Sequence, residues 1–138
     1  MFEAVRRRLG AGDDRGAAPV EFVLVGTILT ALTLAIMQFA IAVYVRNVIH
    51  DAAVEGAHYA ALADSSAAEG SVRTRELIVR AVGEGYGGSA EISTSETMVL
   101  GYPSMRVVVR ATLPIAGLFG PPQTWEVTAD APRESLTE

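Results

Sequence analysis

The stretch EFVLVGTILTALTLAIMQFAIAVYV (residues 21–45) decides what kind of chain this is. Behind the carboxylate of Glu21 run the 24 residues 22–45, which carry no charge and a single amide, Gln38. About 20 apolar residues are enough to span a bilayer as a helix. A secretory signal has a core of only about 7 to 15 apolar residues, followed by a small-residue cleavage site. This run is longer, and its far end carries Tyr44 and Arg46, an interfacial aromatic and a basic anchor. It is expected to stay in the membrane. Glu21 then stands out, because an ionisable residue at a membrane segment is costly and is by default a functional-site hypothesis.

The flanks set the orientation. Basic residues near the ends of a span are retained on the cytoplasmic side. Arg6, Arg7, Arg8 and Arg15 precede the run, and Arg46 alone lies just past it. The expected topology is a single pass through the cytoplasmic membrane, N-terminus inside and C-terminus outside. The whole chain has 138 residues, a net charge of −5 and no cysteine, so it holds at most one soluble domain besides the span. Without cysteine there is no disulfide framework, thiolate nucleophile or zinc-cysteine site. All 11 basic residues are arginines, scattered outside the N-terminus, and none forms a stripe that would track a phosphate backbone. Nucleic acid is not an expected partner.

Beyond the span, VRNVIHDAAVEGAHYAALA (residues 45–63) has no proline, and its one glycine, Gly56, is tolerable within a helix at about 1 kcal/mol against alanine. Val48, Ala52, Ala53 and Ala57 fall at helical spacing, so the helix is expected to continue as a stem. Asp64, Ser65 and Ser66 break it, and small residues through Gly70 read as a connector. A second helix is expected over residues 72–82, opened by Ser71 and ended by Gly83 and Gly85, with Leu77, Ile78, Ala81 and Val82 as its apolar face. The period then changes. In SMRVVVRATLPI (residues 104–115), Met105, Val107, Val109, Ala111 and Leu113 alternate with Arg106, Val108, Arg110 and Thr112, the period of a half-buried strand. Two less regular strands are expected over residues 91–100, with Ile92, Thr94 and Met98 on one face, and 124–131, with Trp125, Val127 and Ala129 on one face. GYPS (residues 101–104) reads as the turn between the first two, and GLFGPP (117–122) as a longer loop. A small sheet with one apolar face needs a cover, and the stem and second helix are available. The expected fold is α+β and membrane-anchored: a long N-terminal transmembrane-plus-stem helix, a second short helix and a small three-stranded antiparallel sheet.

With these residues in view, DDRGAAPVEFVLV (residues 13–25) resembles the processing region of type IV-like prepilins, specifically the tight-adherence (Tad, or Flp) pilus branch and its TadE-like pseudopilins. A short basic leader ends in Gly16, four small or apolar residues follow, and then come Glu21, the aromatic Phe22 and the apolar helix. AAVEGAHYAA (residues 52–61) resembles the family's Ala-Ala-x-Glu-Gly-Ala-Arg-Tyr-Ala stretch, with His58 in place of the arginine, and Pro19 is a departure within the processing region. The resemblance covers residues 15–61. With the break at Asp64 read above, the chain is expected to have three parts: a cytoplasmic leader over 1–16, a transmembrane and stem helix over 17–63 and an extracytoplasmic head over 64–138. The resemblance also implies cutting between Gly16 and Ala17 by a membrane prepilin peptidase, which makes Glu21 the fifth mature residue. In related pilins that carboxylate is thought to face a neighbouring subunit's N-terminal amine. A carboxylate and an ammonium in a low-dielectric site attract far more strongly than in water, and each offsets the other's uncompensated charge. The implied partners are the peptidase, other pilin or pseudopilin subunits with the Tad assembly machinery, and membrane lipid, with Glu21 and Phe22 at the assembly contact.

A plainer reading stands beside this one: Glu21 as a headgroup-level residue of an unprocessed signal anchor that tethers an extracytoplasmic binding domain. Other chemistry is weakly signalled. His50 and His58 are eight residues apart, about 12 Å along a helix, too far to share a metal ion bound at about 2.1 Å. Glu91, Glu96, Glu126 and Asp130 read as a solvated face. The glycine-rich stretches at 83–88 and 117–120 lack the strand-then-helix setting of a phosphate loop. No catalytic residue, metal, cofactor or small-molecule substrate is expected, and the Ala- and Thr-rich span is slim enough for close helix packing.

Overall fold

The computed structural model describes residues 14–112 and 124–134. In chain order the elements are helix α1 (Asp14–Ala61), helix α2 (Ala67–Val82), the short helix α3 (Glu84–Gly87) and strands β1 (Glu91–Val99), β2 (Tyr102–Thr112) and β3 (Thr124–Pro132). The long helix, the shorter helix and the three-stranded antiparallel sheet agree with the fold class expected from the sequence. The expected leader and the GLFGPP loop lie outside the described residues. The chain divides into two units, Met1–Phe39 and Ala40–Glu138.

The described residues of the first unit, 14–39, are helix. Over residues 18–39 its side chains are exposed except for the half-buried Ala35 and Gln38, and the exposed set includes Phe22, Leu24, Ile28, Leu32, Ile36 and Phe39. The helix is long and apolar enough to cross a membrane, with a mean hydropathy of 2.2 in its most apolar window. Its hydroxyls suit that environment. Thr27, Thr30 and Thr33 each donate to the carbonyl four residues back, on Val23, Gly26 and Leu29, at 2.7–2.8 Å. Polar groups satisfied within their own helix avoid the several kcal/mol that an unpaired group costs in hydrocarbon.

The second unit is built around the outer part of α1. Ala42, Val45, Ile49, Ala52, Ala53, Ala57, Ala60 and Ala61 are all buried, recurring every three or four residues along one side. From Val45 onward they join one core with Ile78 of α2 and the inward side chains of the sheet: Met105, Val107, Val109 and Ala111 from β2, and Val127, Ala129 and Ala131 from β3. The helix segment read as a stem is therefore the core helix of the head. Alanine is frequent on it because α2 comes very close. A Cβ on Gly56 would stand 1.8 Å from Thr74 Oγ1 and 3.0 Å from the Gly70 carbonyl oxygen, and one on Gly70 would stand 2.6 Å from Ala60 Cβ. Small residues on both helices permit this crossing, and Thr74, wholly buried, turns its hydroxyl onto the Gly70 carbonyl at 2.8 Å.

The second helix starts earlier than its apolar pattern suggests, at Ala67. Its cap is Ser66, not Ser71: Ser66 Oγ accepts from the Glu69 backbone N–H while the Glu69 carboxylate accepts from the Ser66 N–H, a complete capping box. The small residues taken for a connector are its first turn, kept small because Gly70 lies at the crossing. Ser71 is inside the helix, and its hydroxyl meets Thr94 Oγ1 of β1 at 2.7 Å.

The sheet order is β1-β2-β3, each pair antiparallel. The turn between the first two strands is Leu100-Gly101, flanked by the pair Val99↔Tyr102, so Tyr102, Pro103 and Ser104 belong to β2 and GYPS is not the turn. Both turn residues have positive φ, 52° and 85°, as a two-residue type I′ connection requires. Met98 shares the face of Ile92 and Thr94 but is exposed, because the hairpin runs on past the helices that cover the core. The outer face is polar, and Arg106 pairs with Asp130 through two bonds of 2.6 and 2.9 Å, while Arg110 reaches Glu126 at 2.8 Å.

Two outcomes are expected of the full chain in detergent micelles. Gly56→Ala lowers the thermal midpoint of the head, by about 1–3 kcal/mol of overpacking, because the Gly70 backbone cannot yield. Gly85→Ala, with open space around its Cβ position, leaves the midpoint nearly unchanged. The second outcome concerns pH. Arg106 holds the Asp130 carboxyl below the usual carboxylate range, chiefly through their hydrogen bonds. A depressed carboxyl adds stability above its unfolded pKa and loses it as pH falls through the folded one. The midpoint difference between wild type and Asp130→Asn is thus positive at neutral pH and shrinks below about pH 4. It is small, since both groups face solvent.

Candidate functional site

The residues that sequence reasoning placed at a processing and assembly site all lie on one helix. The backbone of α1 begins at Asp14, so Gly16 and Ala17 are helical, and Glu21 and Phe22 follow one turn later. Glu21 is exposed and Phe22 is 79% exposed. Glu21 has no ion-pair partner among the described residues. A carboxylate at the head of an apolar helix therefore carries a charge that nothing described in its own chain compensates. Pro19 stands inside the same helix. In a helix that starts at Asp14 its ring removes the bond to the carbonyl four residues back; in one that starts at Ala17 it would sit in the first turn, where that N–H has no partner to lose.

Three carboxylates of the head are paired with arginines. Glu96 pairs with Arg133, Glu126 with Arg110 and Asp130 with Arg106. Glu91 is exposed at the start of β1. His58 has Nδ1 2.8 Å from the Val54 carbonyl oxygen, and His50 Nδ1 lies 3.9 Å from Asp51 Oδ1. Both histidines are exposed on α1. Glu55 reaches Arg73 of α2 at 3.6 Å, a further tie between the helices.

Three features of this region escaped sequence reasoning. The first is the Gly56–Gly70 crossing, which needs two distant segments to be seen together. The second is Arg75, whose guanidinium donates to the Gly87 carbonyl at 2.9 Å and the Ala90 carbonyl at 3.1 Å, fixing the path from α3 into β1. The third is Arg46, which lies 5.6 Å over the ring of Trp125, within cation–π range. The signal for this last contact was present, since Arg46 ends the apolar run and Trp125 is the single tryptophan, but their pairing was not.

Comparison with known proteins bears on the same segment. Residues 16–58 match the family model described as "TadE-like protein". Among curated proteins and among solved structures nothing matches. The matched span begins at Gly16, takes in Glu21 and Phe22, and ends just beyond Gly56. Residues 16–58 are thus similar to the TadE-like family, and that match with the apolar helix supports a membrane-anchored component associated with a Tad pilus.

Proposed function

We propose that the chain is a TadE-like minor pseudopilin, cut between Gly16 and Ala17 by a prepilin peptidase and assembled with other pilin-type subunits through its helix. The observation that carries this reading is the joint arrangement within the matched segment: Gly16, four small or apolar residues, Glu21, Phe22, then an uncharged helix. The leader over 1–16 lies inside, the helix over 17–63 crosses outward, and the head over 64–138 with the outer end of α1 lies outside. Four arginines before the span against one just after it support that orientation. Cutting at Gly16 leaves 7 basic and 13 acidic residues and a new ammonium on Ala17. The Glu21 carboxylate then meets the Ala17 ammonium of a neighbouring subunit, which sets the register between helices. Pro19 fits the cut chain, where it occupies the first turn. The head is an interaction domain and not a catalyst, a reading supported by the arginine partners of Glu96, Glu126 and Asp130.

The intact mass of the protein extracted from membranes of its native host tests the cut. A chain starting at Ala17 is expected; a chain that keeps residues 1–16 overturns the pseudopilin reading and leaves a signal-anchored binding domain. Gly16→Ala is expected to retain the leader in the same measurement. Glu21→Gln is expected to be cut normally but to fall at least about tenfold in recovery with sheared pili, because one charge left unpaired in a low-dielectric contact costs about 3–5 kcal/mol. Equal recovery of Glu21→Gln and wild type would remove Glu21 from the assembly contact.

A further inference from the structure

The head has two distinct ends along α1, and they differ in chemistry. At the far end Glu134 N–H donates to the Ala61 carbonyl and Arg133 N–H to the Pro103 carbonyl, each at 2.9 Å. At the near end, Arg46 covers Trp125, the second residue of β3, opposite Ala111. Arg46 and Ala61 are 15 residues apart on the helix, about 22 Å at 1.5 Å per residue. The near end is where the uncharged run stops.

Burial along α1 locates that end more closely. Ala42 and Val45 are only 5% and 3% exposed, whereas Ile41, Val43 and Tyr44 remain 49%, 38% and 56% exposed. The head's core thus claims the last turn of the uncharged run. Residues 22–41 are left to lipid, which is 20 residues and about 30 Å of helix. That length equals the hydrocarbon thickness of a typical bilayer, about 30 Å, with no excess that would lift the head clear of the surface. Tyr44, Arg46 and Trp125 therefore fall at one level, where aromatic rings and basic side chains prefer to lie. Directly beside them a cleft of about 190 Å³ is lined by polar groups, among them Asn47, His50, Glu126 and Thr128. The order along the helix is apolar, aromatic with arginine, then polar, which is the order of a bilayer surface met from its interior. Glu126 already pairs with Arg110 at 2.8 Å, so its charge does not stand unpaired towards an anionic leaflet.

We propose that the Trp125–Arg46 end of the head is a lipid-binding seat: the Trp125 indole and Tyr44 ring lie in the headgroup layer of the outer leaflet, and Arg46 bridges the indole face and phospholipid phosphates. The seat needs only that residues 22–41 span a bilayer, and it stands whether or not the chain is cut at Gly16.

Trp125 is the single tryptophan, so its fluorescence reads the seat without labelling. The full chain is reconstituted into phosphatidylcholine vesicles that contain phosphatidylcholine with a nitroxide either near the headgroup or near the acyl-chain end. The shallow nitroxide is expected to quench Trp125 more strongly than the deep one, with a blue-shifted emission and little quenching by aqueous acrylamide. The double variant Trp125→Phe with Tyr102→Trp moves the reporter to the exposed hairpin at the far end, and the expected pattern reverses: no nitroxide quenching and full acrylamide quenching. Wild type untouched by both nitroxides, or quenched more by the deep one, overturns the seat. The test does not depend on processing or on other subunits, so its failure would leave the pseudopilin proposal standing.

Discussion

The contact between Gly56 and Gly70 governs the architecture of the head. With a Cβ on either glycine the two helices could not approach as they do, and the wholly buried Thr74 and Ile78 would lose their seat against α1. Close approach explains why the outer end of α1 is so rich in alanine: Ala52, Ala53, Ala57 and Ala60 leave backbone and Cβ atoms as the packing surface, and larger side chains arrive from α2 and the sheet. The core is asymmetric as a result. The helix contributes mostly alanines with Val45 and Ile49, and β2 and β3 bring Met105, three valines and the partly buried Trp125.

The same helix must suit two surroundings. Over residues 22–39 its side chains are almost all exposed and mostly apolar and its hydroxyls are bonded back to its own backbone, which satisfies a medium with no hydrogen-bonding partners. From Ala42 onward it presents a stripe of small residues and carries charge on the remaining faces, as Arg46, Asp51 and Glu55 show. No proline or glycine pair separates the two regimes, and the helix runs unbroken to Ala61. What changes across Ala40 is side-chain chemistry alone.

Much of this was legible in the sequence. The uncharged run announced a membrane helix by length and composition, and the alternation in β2 announced Met105, Val107, Val109 and Ala111 as inward; Leu113, expected with them, lies outside the described residues. The start of α2 was written there too, as Ser66 with Glu69 three residues on, but the small residues through Gly70 hid it, and the reason for Gly70 lies in the other helix. Leu100 gave no turn signal, since leucine seldom takes positive φ, and the glycine and proline after it drew the turn two residues too late. Met98 was placed on the correct face, yet parity says nothing about where a cover ends. At the candidate site, the order of residues from Gly16 to Phe22 was readable directly, whereas the pairing of Arg46 with Trp125 depends on three strands folding back along the helix.

The topology also sets how much chain each contact of the head must close. Each strand pairs with its predecessor and α2 follows α1 after a short connection, so most contacts close small loops and search little conformational space. The packing of the sheet on α1 closes far longer loops, as Arg46 over Trp125 does. The bond from Glu134 N–H to the Ala61 carbonyl joins positions 73 residues apart, the largest loop among the backbone bonds that tie elements together. Loop-closure entropy grows with that separation, though only slowly. β3, the last strand among the described residues, therefore leads the chain back to α1: it pairs along β2, and two residues beyond its end Glu134 closes on Ala61.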